Sequence, residues 1–173
     1  MEIKFRQIKI EDSSIIRNWI KTNEFAKRWY FYNKTPRLLT LKNKIANKLK
    51  EKDLKAYLVC IDNVPIGYIQ SYPVCDKSAW GKKVKVHDNT VSLDYYIGDI
   101  NYIHKRLGSL IINEYIEQVI KKDGFEYVMI SPDPENKVQL RLMEKCKFEY
   151  IKTVNIPYSN SKNREAIYIK HIK

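Results

Sequence analysis

The sequence predicts a single α+β domain in which one mixed, mostly antiparallel central sheet is flanked by helices. Three observations carry that expectation. Apolar residues switch repeatedly between alternating and helical spacing along the chain. Residues 56–69 read as a tight hairpin. The 173 residues, 44% hydrophobic, suffice for one core, and no repeat, low-complexity linker or shift in composition marks a second domain.

Ile3, Phe5 and Ile8 between polar neighbours form a first strand. Asp12-Ser13-Ser14 then offers an N-cap to a helix carrying Ile15, Ile16, Trp19 and Ile20. Residues 25–32 form an aromatic-rich connector, and beyond Pro36 a second helix shows Leu38, Leu41, Ile45 and Leu49. Residues 56–61 and 64–69 flank Asp62-Asn63, which tolerate the positive φ of a two-residue turn. A polar loop with Asp76 and Trp80 leads to β-branched and aromatic residues at 90–97, another strand. Leu107, Leu110, Ile111, Ile112, Tyr115 and Val119 predict a helix running to Lys121-Lys122 and stopped by Gly124. A fifth strand at 125–130 is broken by Pro132 and Pro134. Leu140, Leu142, Met143 and Cys146 lie on a short helix, and 148–156 and 166–172 supply two last strands.

The formal charge of +12 raises the prospect of a nucleic-acid partner. The positive residues are dispersed, however. The densest runs, Lys42, Lys44, Lys48, Lys50, Lys52 and Lys55, and Lys82, Lys83 and Lys85, interleave no aromatic residues for base stacking. They read as a solvated helix face and a solvated loop, so no nucleic acid is expected. Residues 1–5 lack the apolar run of a signal peptide and no stretch approaches the roughly 20 apolar residues of a membrane span, so a soluble, cytoplasmic protein is expected. Cys60, Cys75 and Cys146 are odd in number and widely spaced, and read as reduced residues packed as small apolar groups. His87, His104 and His171 share no metal-ligand spacing, so no metal is assigned.

The most informative unit for chemistry is a strand ending near Ile97, a turn, and a helix opening near Lys105, Arg106, Leu107, Gly108 and Ser109. Unpaired N–H groups and the positive end of the helix dipole suit a phosphate there. Lys105 and Arg106 add positive charge, and Gly108 removes a Cβ that would hold a phosphate off the backbone. An ordinary loop and helix start is the alternative.

Residues 103–108 resemble the acetyl-CoA loop of GNAT acetyltransferases, usually Gln or Arg, two residues, Gly, one residue, Gly or Ala. Ile103 stands in the first place, Arg106 in that of the first glycine, and Gly108 in the last. Three further stretches carry the resemblance: Val-Pro-Ile-Gly-Tyr-Ile-Gln-Ser-Tyr at 64–72, Leu-Asp-Tyr-Tyr-Ile-Gly at 93–98, and Ser-Pro-Asp-Pro-Glu-Asn at 131–136 with the segment 140–148. Their order and spacing are similar to those of the aminoglycoside 6'-N-acetyltransferases, over about residues 3–156.

The resemblance implies the GNAT fold, acetyl-CoA as cosubstrate, a small-molecule primary amine as acceptor, and antibiotic acetylation by direct attack. It implies a base at Asp94, since an ammonium cannot attack a thioester until a proton is removed. Ile97, Lys105, Arg106, Leu107, Gly108, Ser109 and Asn136 would bind the cosubstrate, and Trp29, Gln70, Tyr72 and Asp76 the acceptor. Met143 stands where a tyrosine general acid is usual, and Lys147 where a glycine precedes Phe148. A side chain at 106 leaves an amide cradle intact if its φ is negative. Other readings stay open: Asp94 as a solvent-facing or ion-paired strand residue, Trp29 as a core anchor, and Asp76 as merely solvated. A protein of charge +12 repels a polycation unless acids such as Asp76, Asp88, Asp94 and Asp99 reverse the field locally. Another amine, such as a siderophore precursor, is the alternative acceptor, and a basic non-catalytic nucleic-acid-binding module the alternative outside enzymes. A homodimer is compatible with each.

Overall fold

In the computed structural model, which describes residues 1–84, 86–156 and 164–173, the chain opens with β1 (Ile3–Gln7), α1 (Ser13–Thr22), α2 (Glu24–Phe31) and α3 (Leu38–Lys50). It continues with β2 (Lys55–Ile61), β3 (Val64–Pro73), α4 (Ala79–Val84), β4 (Thr90–Ile97) and α5 (Leu107–Tyr115). It ends with β5 (Tyr127–Ile130), α6 (Lys137–Lys145), β6 (Glu149–Asn155) and β7 (Arg164–His171). Lys85 lies outside the described residues. The strands form one seven-stranded sheet in the order β1-β2-β3-β4-β5-β7-β6, with β4 and β5 parallel and β1–β2, β2–β3, β5–β7 and β6–β7 antiparallel. The expected α+β class, a mostly antiparallel sheet flanked by helices, is what the chain adopts.

Two helices go beyond the expected order. The connector at 25–32 is the helix α2, because Asn23 caps it by accepting from the Ala26 N–H at 3.0 Å and Ala26 is buried beneath it. The second, α4, lies in the lysine-bearing loop, where Gly81 and Val84 are its buried positions. The N-cap expected within Asp12-Ser13-Ser14 falls at Asp12, but without a side-chain bond to the helix. Its carboxylate accepts from Arg6 Nη1 and Nη2 at 3.1 and 2.7 Å and from the Lys9 N–H at 2.8 Å, so it makes no side-chain bond to α1.

Backbone packing groups the described residues into two compact units, Met1–Ser71 with Asp94–Leu107, and Tyr72–Leu93 with Gly108–Lys173. In the first, Asp62 and Asn63, at φ 48° and 68°, form the expected turn between β2 and β3. Ile8, Ile16, Trp19, Ile20, Leu41, Ile45, Leu58, Tyr68 and Tyr96 belong to its buried core. Gly67 is there because a Cβ would meet the Tyr96 carbonyl oxygen at 2.4 Å and the Ile97 Cα at 3.2 Å. Backbone atoms cannot swing aside, so Gly67→Ala is expected to lower stability by about 1–3 kcal/mol, measurable by denaturant unfolding.

In the second unit Val84, Met129, Ile167 and Ile169 pack together. The helix expected to run to Lys121-Lys122 changes pitch twice: it is α-helical to Tyr115, a π-helix over Ile116–Ile120 and a 3-10 turn over Lys121–Asp123. Gly124, at φ 79°, ends it. Cys60 and Cys146 are buried, and burial pushes both thiols up, whereas Cys75 is exposed and does not pack as expected. No helix among the described residues is long and apolar enough to cross a membrane.

Candidate functional site

Strand β4 is buried at every position except Asp94 and Ile97, which are half-buried. A carboxylate in such a strand must be hydrogen-bonded, and Asp94 Oδ2 accepts from Gln70 Nε2 of β3 at 2.8 Å. The alternation of a strand puts Tyr68 on the same face of β3 as Gln70, and Tyr96 on that of β4 with Asp94. The rings of Tyr68 and Tyr96 stack, 5.7 Å between centroids and 30° between planes.

The Gln70 amide is oriented by its neighbours. Its Oε1 accepts from Tyr68 Oη at 2.7 Å and from Lys48 Nζ of α3. With the oxygen held by two donors, the NH2 group faces the carboxylate, an acceptor only. Burial lowers the Lys48 pKa, opposed by attraction from Asp94 and Glu51 and assisted by repulsion from Lys44. Tyr96 is buried, and desolvation alone pushes its phenol well above the usual tyrosine range, so the ring is a neutral platform. Tyr30 and Phe31 of α2 close on it at 5.1 and 5.5 Å between centroids.

The structure thus joins two of the residues singled out in sequence, Gln70 and Asp94, in one hydrogen bond. Trp29 lies in the same unit but outside its buried core, half-exposed with the Arg28 guanidinium 4.7 Å from its ring centroid. The core anchors of the aromatic run are Tyr30 and Phe31. Tyr72 and Asp76 belong to the second unit. The Tyr72 ring lies 6.3 Å from that of Trp80, whose Nε1 donates to Glu165 Oε2 at 3.0 Å, and Asp76 is exposed in the loop before α4. Asn136, 4% exposed, caps α6 by accepting from the Gln139 N–H at 3.3 Å. Met143 is fully buried, so the place that resemblance gives to a general acid is filled by a core side chain.

Between β4 and α5 the chain passes through two left-handed residues, His104 at φ 60° and Arg106 at φ 59°. Lys105 and Arg106 are exposed, Lys105 Nζ lies 5.2 Å from the Tyr102 ring centroid, and buried Leu107 opens the helix, followed by Gly108 and Ser109. The condition of a negative φ at 106 is therefore not met. The residue instead takes the conformation that glycine adopts without cost, at a strain of about 1–2 kcal/mol. Left-handed residues at a helix start favour the concave N–H arrangement that binds anions. Lys147, in the other glycine place, behaves alike at φ 60°. Arg106→Val, β-branched, is expected to cost about 1–2 kcal/mol, with Arg106→Gly at least as stable as wild type, as read from urea midpoints.

Residues 9–156 match the family described as Acetyltransferase (GNAT) domain. The chain belongs to the GNAT acetyltransferase family. Among its relatives is aminoglycoside N(6')-acetyltransferase type 1 of Klebsiella pneumoniae, 20% identical over 156 residues, 90% of this chain and 78% of that protein. An uncharacterized protein from Bacillus halodurans superposes with a TM-score of 0.84 at 18% identity, covering 98% of this GNAT chain and 83% of the other. Aminoglycoside acetyltransferase AAC(6')-Ib in complex with coenzyme A and kanamycin superposes with a TM-score of 0.80 at 17% identity, covering 98% and 95%. At these identities the superpositions show the fold that the GNAT chain shares.

Sequence reasoning missed Lys48, Tyr68, Tyr96 and Asn23. For Lys48 a signal existed: it falls seven residues after Leu41 and three after Ile45, on the buried face of α3, whereas Lys42, Lys44 and Lys50 are exposed.

Proposed function

We propose that residues 1–173 act as one domain that moves the acetyl group of acetyl-CoA to a primary amine by direct attack. The observation that carries this reading is the Asp94 carboxylate, half-accessible in an otherwise buried strand and aligned by the Gln70 amide. The amine nitrogen forms a bond to the thioester carbon while its proton passes to Asp94. The carbon–sulfur bond breaks, and the departing thiolate takes a proton from water, since Met143 offers none. Family membership supports acetyl-CoA as the donor, as does the coenzyme A in the AAC(6')-Ib complex. Its pyrophosphate would meet the backbone of residues 105–109, and its pantetheine arm would follow β4 past Ile97. Trp29 and Gln70 would line the acceptor side.

For the acceptor, the names of the relatives support the 6'-amine of an aminoglycoside antibiotic. A second reading, an amine that is not a polycation, is favoured by the Lys48 ammonium on the Gln70 amide beside Asp94. The test is thiol release from acetyl-CoA with a panel of primary amines including kanamycin, and mass spectrometry of the products. Acetylated amine with stoichiometric thiol is the expected result. No turnover with any primary amine would overturn the reading.

A further inference from the structure

Lys48 differs from the other lysines of α3. Its side chain is turned into the unit, with Nζ on Gln70 Oε1 and 5.9 Å from the Tyr68 ring centroid. An ammonium has three N–H donors, and the one oxygen it meets here belongs to a neutral amide. Among the described residues Lys48 forms no ion pair; Asp94 and Glu51 act on it only at longer range. Burial therefore costs this cation more than its surroundings return, and the imbalance lies one side chain away from the carboxylate that would receive the acceptor's proton.

From this placement we infer that Lys48 selects acceptor amines that carry an oxyanion, a carboxylate or a phosphate, near the reacting nitrogen, and disfavours polycations. The inference rests on the acetyl-transfer reading above. An incoming oxyanion accepts the remaining N–H donors of Lys48 and neutralises it in a partly desolvated place, where charge-assisted hydrogen bonds are strongest. A polycation brings further positive charge to the same spot and is repelled. Of the lysines on α3, Lys48 is thus the one turned from solvent toward the site.

The test compares kcat/KM for three acceptors built on one alkyl chain: the plain monoamine, the amine with a terminal carboxylate, and the amine with a terminal phosphate, with kanamycin as the polycation. For wild type the oxyanion-bearing amines are expected to exceed the plain amine by about tenfold, the value of one hydrogen bond to a charged group. In Lys48→Met that ratio collapses towards one, and in Lys48→Arg it persists. The ratio is read because a general loss of Gln70 alignment lowers every acceptor alike and leaves it unchanged. A wild-type ratio near one, or the same ratio in Lys48→Met, overturns the inference while acetyl transfer stands; if the methionine variant does not fold, Lys48→Gln gives the same readout. The carboxylate and phosphate arms identify which oxyanion is preferred. Turnover of none of the amines overturns the acetyl-transfer reading itself, and the inference with it.

Discussion

Asp94→Asn is expected to lower kcat at least tenfold, towards the 10²–10⁴ that general-base catalysis typically supplies, while acetyl-CoA affinity stays nearly unchanged. The substitution keeps the shape, and an asparagine oxygen can still accept from Gln70 Nε2, which now donates to Asp94 Oδ2 at 2.8 Å. What is lost is the capacity to take a proton from an ammonium. The phosphate-binding backbone proposed at 105–109 lies elsewhere in the chain, so calorimetric titration with acetyl-CoA is expected to give a wild-type dissociation constant. Wild-type turnover in the asparagine variant would remove Asp94 from the mechanism.

The largest effect on stability is expected at Asn23, which is 1% exposed and serves three backbone groups at once. Its Oδ1 caps α2 through Ala26 N–H at 3.0 Å, and its Nδ2 donates to the carbonyls of Ile97 and Gly98 at 3.0 and 3.1 Å. Alanine removes the cap and leaves carbonyls without a partner, a loss of about 2–4 kcal/mol. For a chain of this length the melting temperature falls by about 5–15 °C. Asn23→Asp is the sharper test, because it retains the cap acceptor but turns a carboxylate against two carbonyls. If the aspartate variant melts with wild type, the donated bonds to the end of β4 contribute nothing.

Elements whose signal is local were readable in the sequence. The Asp62-Asn63 turn carries its own backbone preference, and the α3 stripe of Leu41 and Ile45 repeats at helical spacing. The helix α2 was not readable, because the run Trp29-Tyr30-Phe31-Tyr32 is apolar on every side and masks the single buried position at Ala26. The same holds for α4, which has two buried residues and no periodicity. In the candidate site, family likeness pointed to Gln70 and Asp94, but nothing along the chain couples them to Lys48, which is 22 residues from Gln70. That contact exists only once α3 lies on the hairpin. Arg6 and Asp12 teach the converse, since a local cap signal at Asp12 yields to a bidentate partner six residues away.

The left-handed backbone at Arg106 and Lys147 bears on how far the stability of this chain can be raised. Both positions hold a glycine's torsion without a glycine, so each turn carries a side chain at the cost of some backbone strain. The strain at both turns marks two positions where glycine is expected to be accepted without loss of stability.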